Sequence, residues 1–148
     1  MKIKNLYFSP VKSLSFNNVD NLEIIKNIGI KNDRIFAFTN NLNLKDIELI
    51  KNNPLKREIY KFLSLKKYPE LNQYNFLLED NFLILEFENK IILKTDIDNQ
   101  HEVKILCSKL EDILPNINNI NLLIDRVNPF FDTMPNKSLS LINLNSIR

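Results

Sequence analysis

The chain has 148 residues, 44% hydrophobic and 26% charged, with a formal net charge of +2 and a pI near 8.6. That composition fits one folded domain with a real core and excludes disorder; the small cationic excess falls far short of the dense basic face of a nucleic-acid binder. One cysteine excludes an internal disulfide, no apolar run approaches the ~18 residues of a membrane span, and the N-terminus lacks a signal peptide's apolar stretch, so a cytoplasmic location is expected.

In chain order, Ile3 to Phe8 reads as a strand bent or ended by Pro10. Asn17-Asn18 reads as a turn, Leu22 to Ile25 as a second short strand, and Arg34 to Thr39 as a third, with a turn at Asn40-Asn41. The period then changes. Leu44, Ile47, Ile50, Leu55, Ile59 and Phe62 fall at helical spacings, and Asn53-Pro54 forms an N-cap and first-turn pair. Two short helices with a restart are therefore expected. Asn75 to Leu78, Leu83 to Phe87 and Lys90 to Thr95 read as an antiparallel meander with turns at Glu79-Asp80-Asn81 and Glu88-Asn89. Val103, Leu106, Cys107, Leu110 and Ile113 mark one face of an amphipathic helix that Pro115 ends. Ile120 to Ile124 is a last strand, and Leu139 to Leu144 a strand or the start of a helix. The class is α+β with a strong β component. The heavy use of Asn, Lys, Ile and Leu with a single Gly points to an AT-rich genome, so much of the composition carries no function.

The chemistry-bearing residues cluster in two runs. Leu6-Tyr7-Phe8-Ser9-Pro10-Val11-Lys12-Ser13-Leu14 sets a Lys-Ser pair after a proline break, and Gly29-Ile30-Lys31-Asn32-Asp33-Arg34 places the only Gly four residues before an Asp-Arg pair. A cation with a hydroxyl, plus a guanidinium, suits an oxyanion such as phosphate. A chain that uses Gly once is expected to use it at φ > 0 or at a close backbone approach. The plain alternatives are a solvated Lys12 with a turn Ser13, and a surface ion pair of Arg34 with Asp33 worth ~0–1 kcal/mol. Cys107 lies on the apolar face of the expected helix, where a free thiol acts as a small hydrophobe. His101 has no partners at ligand spacing. The strand aromatics Tyr7, Phe8, Phe36, Phe38, Phe76, Phe82 and Phe87 read as core rather than as a base-stacking platform.

These runs resemble the N-terminal β-barrel domain that precedes MOSC domains, the molybdenum-cofactor sulfurase C-terminal family, whose relatives include the mitochondrial amidoxime-reducing component and its bacterial counterparts. Two further stretches are similar to that family: Lys61 to Leu71, with Phe62-Leu63-Ser64 and Pro69-Glu70-Leu71, and Phe131-Asp132-Thr133-Met134-Pro135 followed by Leu139 to Asn143. The four matches occur in family order. The resemblance implies a β-rich, barrel-like N-terminal domain over 1–128 with a helical insertion and one C-terminal helix, and the start of a MOSC domain over 129–148, cut off before the MOSC body. It implies Lys12, Ser13, Arg34 and Thr133 as molybdopterin contacts, with Asp33 as the acceptor that orients Arg34 or caps its loop. The metal-ligating thiolate would come from a MOSC body downstream, and Cys107 is rejected for that role. The function implied is the N-terminal portion of a molybdenum-cofactor oxidoreductase of N-hydroxylated substrates, or of a sulfur-transfer protein. Its partners would be the cofactor and the missing MOSC half or a redox protein, with no nucleic acid and no membrane. The rival is a free-standing, non-catalytic module that binds a protein partner or an anionic ligand. The 148 residues alone are expected to have no reductase activity.

Overall fold

A computed structural model describes residues 3–59 and 62–130. The architecture is α+β, with nine short strands and two α-helices among the described residues. β1 (Leu6–Phe8) pairs antiparallel with β2 (Asn17–Val19), and β3 (Ile24–Ile25) with β4 (Gly29–Ile30). β5 (Phe36–Asn40) pairs antiparallel with β9 (Ile120–Ile124), more than eighty residues downstream. β6 (Tyr74–Glu79), β7 (Phe82–Phe87) and β8 (Lys90–Asp96) form the expected meander, with a bulge between Leu85 and Glu86.

Among the described residues these four groups do not close into one hydrogen-bonded barrel. Isolated bridges and side chains join them instead. Val11 bridges Phe36 in parallel, and Thr39 bridges Phe62 antiparallel. The outer edge of β6 is met by side chains: the Ser15 hydroxyl accepts from Phe76 N (2.8 Å), and Asn17 Nδ2 donates to Phe76 O (2.8 Å). A backbone edge satisfied in this way is shut to further strands at that residue.

The expected turn at Asn17-Asn18 is instead strand β2. Asn17 faces inward, only 7% exposed, and its amide bond to Phe76 supplies a tertiary reason to be extended that local turn propensity cannot register. The strand expected over Leu22 to Ile25 is confined to β3, and β4 was not anticipated. A 3₁₀ turn at Pro69–Gln73 was also not anticipated; it buries Leu71 beneath the meander.

The helix expected after the turn at Asn40-Asn41 is present. α1 (Leu44–Asn52) starts with a capping box in which Asn43 Oδ1 accepts Asp46 N (2.9 Å) and Asp46 returns a carboxylate to Asn43 N. After Asn53 the chain restarts at Pro54, but as a 3₁₀ turn, Pro54–Ile59. α2 (Gln100–Ile113) is capped by Asn99, whose side chain accepts from the backbone N–H groups of His101 and Glu102. Glu102 also accepts Asp96 N (2.7 Å), fixing the helix start to the end of β8, and Glu111 accepts Ile120 N (2.7 Å), fixing its far end to β9.

The main core gathers Val11, Leu14, Phe36, Phe38, Leu63, Phe76, Leu85, Leu106 and Leu110, with the Phe38 and Phe76 rings 5.5 Å apart. Phe36, Phe38 and Phe76 are core as expected, whereas Tyr7 is 51% exposed on the outer face of β1. Ala37, Ile50, Leu123 and Phe130 form a second, smaller cluster on the other side of β5.

Asparagine replaces glycine throughout. Asn27, Asn32, Asn41, Asn89, Asn116 and Asn119 have φ between 55° and 64°, the left-handed region that Asn tolerates best after Gly. The two-residue turn Glu88-Asn89 has both residues at positive φ, the geometry that matches hairpin twist. The single glycine, Gly29, sits at φ 111°, as its rarity suggested.

Candidate functional site

The site begins with backbone. Segment 9–12 lies beside residues 34–36 through three hydrogen bonds: Arg34 N to Ser9 O (2.6 Å), Phe36 N to Pro10 O (3.0 Å) and Lys12 N to Phe36 O (2.8 Å). Pro10 lacks an N–H but keeps its carbonyl, so it serves this parallel contact as acceptor only. The Pro-Val-Lys-Ser run and the Gly-to-Asp-Arg run, separate in sequence, are thus neighbours in the fold.

Asp33 locks that junction. It is 4% exposed. Its Oδ1 accepts Ser9 N at 2.9 Å, while its Oδ2 accepts Arg34 Nε at 2.9 Å and Arg34 Nη2 at 2.5 Å. It both orients Arg34 and fastens the loop, the two roles expected of it. Ser9 Oγ donates to Val11 O (2.6 Å), tightening the bend at Pro10.

Ser13 and Arg34 share a backbone feature. Both occupy the left-handed region, at φ 58° and φ 53°, where a residue with a Cβ is strained by roughly 1–2 kcal/mol. Ser13 completes the turn closed by Leu14 N to Val11 O, and its carbonyl accepts Leu65 N (3.3 Å), tying the turn to the third run. Ser64 lies next to that tie, and its carbonyl accepts Lys67 N and Tyr68 N in a turn of its own.

Lys12 is 9% exposed, with its amine 5.6 Å from the centroid of the Phe62 ring. Phe62 packs edge-on against Phe130 at 5.7 Å. Phe130 N in turn donates to Arg34 O (2.7 Å). Lys12 and Arg34 therefore both connect to the Phe62–Phe130 pair, though through different atoms: one through its amine, the other through its carbonyl. Thr133 lies outside the described residues, as does the rest of the Asp132-to-Pro135 match.

Sequence reasoning missed one residue here. Arg57 is 5% exposed, in the 3₁₀ turn Pro54–Ile59. It donates to Ile50 O (2.9 Å), to Asn128 O and to Asp125 Oδ2, and its guanidinium lies 4.5 Å from the centroid of the Phe130 ring. Asp125 also accepts the N–H groups of Val127 and Asn128, shaping the turn before Phe130. The partners are 68 positions apart, so no local pattern signals the pair.

The donor set of ammonium, hydroxyl and guanidinium has the chemistry of an anion site. Among the described residues no three His, Cys, Asp or Glu side chains come together as metal ligands. Cys107 is buried in the core against α2's neighbours, and burial pushes its thiol up from 9.0 to about 11, against a smaller opposing hydrogen bond involving Leu122. A thiol so held is a poor nucleophile and a poor ligand. No helix among the described residues is long and apolar enough to cross a membrane. Compared with protein-family models, curated proteins and solved structures, the chain matches none.

Proposed function

We propose that this chain is the N-terminal portion of a MOSC-type molybdenum-cofactor protein, and that Lys12, Ser13 and Arg34 supply contacts to the phosphate end of molybdopterin. The observation that supports this reading most is the backbone junction of segments 9–12 and 34–36. It brings together the two runs that carry the resemblance, at Ser9–Arg34 and Pro10–Phe36. The buried carboxylate of Asp33, which holds Arg34 by two N–H groups, supports it further. A guanidinium has five N–H donors, and a preset orientation lowers the entropy lost when it grips an anion. In the same reading the linked ladders form one barrel-like unit, Thr133 adds a hydroxyl, and the metal-ligating thiolate comes from a MOSC body. When bound there the cofactor would supply the redox or sulfur-transfer chemistry, with N-hydroxylated compounds as substrates in the oxidoreductase case. The free-standing module that binds an anion or a partner protein is the rival.

A phosphate monoester is the simplest probe of this reading. Titrated into the chain and followed by the amide resonances of residues 9–14 and 33–36, it should bind saturably. Arg34→Lys and Lys12→Met should each weaken binding by about tenfold, the loss of one charge-assisted hydrogen bond of ~1.5–3 kcal/mol. Lys4→Met, at an exposed position, should leave it unchanged. Binding that ignores Arg34 and Lys12 would remove the proposed site.

A further inference from the structure

A cavity of about 290 Å3 opens between the 3₁₀ turn at Pro69–Gln73, the meander and the start of β2. Its lining includes neither Lys12 nor Arg34, and its charge is of the opposite sign. Glu86 and Glu88, two residues apart at the end of β7 and in its turn, both line it; among the described residues that line it there is no Lys, Arg or His. Leu71, 1% exposed, supplies an apolar floor. Tyr74 and Phe16 supply aromatic surface among the neutral polar groups of Ser15, Asn72, Gln73, Asn75 and Asn89. Tyr74 is held by packing against Phe87, with ring centroids 5.0 Å apart, and Phe16 is 74% exposed at the mouth. A phenylalanine left that open beside a cavity gains little from folding alone.

The charged, aromatic and apolar parts of this lining select the same class of ligand. Glu86 accepts from Asn75 Nδ2 (3.4 Å), which leaves its charge in place, and the two carboxylates repel phosphates and carboxylic acids. An aromatic wall attracts a cation over its face. An apolar floor favours an aliphatic chain over a bare, strongly hydrated metal ion. We propose that this cavity binds an alkylammonium ligand, a small diamine or polyamine, with its ammonium group between Glu86 and Glu88 and its methylenes against Leu71 and Phe16. The proposal is independent of the anion site and survives or fails without it.

The cavity is open and its carboxylates are partly solvated, so affinity is modest. An exposed ion pair, a cation–π contact and partial burial of the methylenes together give a dissociation constant of about ten millimolar, weakening as salt is added. The test uses 1,5-diaminopentane and reads the side-chain amide resonances of Asn72 and Asn89, which line the cavity. Saturable shifts at these groups are expected. Glu86→Gln with Glu88→Gln, which keeps shape and acceptor atoms while removing both charges, should weaken binding about tenfold or more. Phe16→Ser, at an exposed position, should weaken it less. An unchanged spectrum elsewhere shows that the variants remain folded. Three results would overturn the proposal: no saturation at about ten times the expected constant, equal shifts from neutral 1,5-pentanediol, or equal shifts from magnesium ions. The second would indicate a neutral polyol site, and the third a simple acidic patch.

Discussion

The meander and the N-terminal junction are held by different kinds of bond. Residues 74–96 pair along the length of three strands, broken only by the bulge at Leu85–Glu86, through two short hairpin turns, and bury Phe76, Leu83 and Leu85 beneath them. Residues 9–36 contain only two- and three-residue ladders, and their cohesion comes from single polar atoms: Asp33 to Ser9, Ser15 and Asn17 to Phe76, Arg34 to Ser9. In the meander, stability is spread over many similar contacts, so losing one polar contact costs little. At the junction it is concentrated in a few buried polar groups, each of which leaves unsatisfied partners if removed. Strained backbone at Ser13 and Arg34 falls in the same region. The meander's turns carry left-handed residues too, at Asp80 and Glu88, so the buried polar bonds rather than the backbone set the junction apart.

The sharpest way to break this comparison is Arg57→Ala. It removes the cation paired with Asp125 and the donors to the buried Ile50 and half-buried Asn128 carbonyls, and should cost about 3–5 kcal/mol in chemical denaturation. Asp33→Ala should cost about 2–3 kcal/mol by leaving Ser9 N unsatisfied and removing the acceptor of Arg34 Nε, whereas Asp33→Asn, which keeps an acceptor for Ser9 N, should cost about half as much. If either Asp33 variant were no more damaging than an exposed meander substitution such as Lys90→Ala, the junction would not depend on polar locks.

Cys107 provides a third, pH-dependent handle. Its folded-state pKa is raised, to about 11 from 9.0, so the folded state holds the proton more tightly than the unfolded chain. Its stabilising contribution is therefore complete below pH 9 and is lost as pH rises from about 9 to 11, by an amount on the order of 2 kcal/mol. Cys107→Ala should flatten that alkaline decline, and alkylation of the native thiol at pH 8 should be far slower than in denaturant. The smallest effect is Ser13→Gly, which relieves a left-handed non-glycine residue and should stabilise by roughly 0.5–1 kcal/mol while deleting the hydroxyl. A variant that is more stable yet binds a phosphate monoester less well would separate the hydroxyl's role from the backbone's.

Legibility in the sequence follows the same division. The meander, α1, α2 and β9 are written in local periodicity and turn residues, and those are the elements read closest to their observed bounds, although the Asn43 and Asn99 caps were not read. β2 and β4 were not, because Asn17-Asn18 has turn chemistry and Gly29-Ile30 has no strand period; both are extended through tertiary partners. At the candidate site, Asp33 was legible because its partner Arg34 is adjacent in sequence. Arg57 was not, because its carboxylate and carbonyl partners lie on segments that no local pattern connects. The barrel-like arrangement was an inference from resemblance; the junctions between ladders here are isolated bridges and side-chain bonds that carry no period.

Pterin retention addresses the central claim most directly. The chain, its Arg34→Lys and Lys12→Met variants and a Lys4→Met control should be produced in cells that make molybdopterin. The pterin released from each purified protein is then oxidised and its fluorescence read per mole of protein. The account predicts pterin with the parent chain and the control, and roughly tenfold less with Arg34→Lys and Lys12→Met. No pterin with the parent chain, or equal amounts in all four proteins, would contradict it.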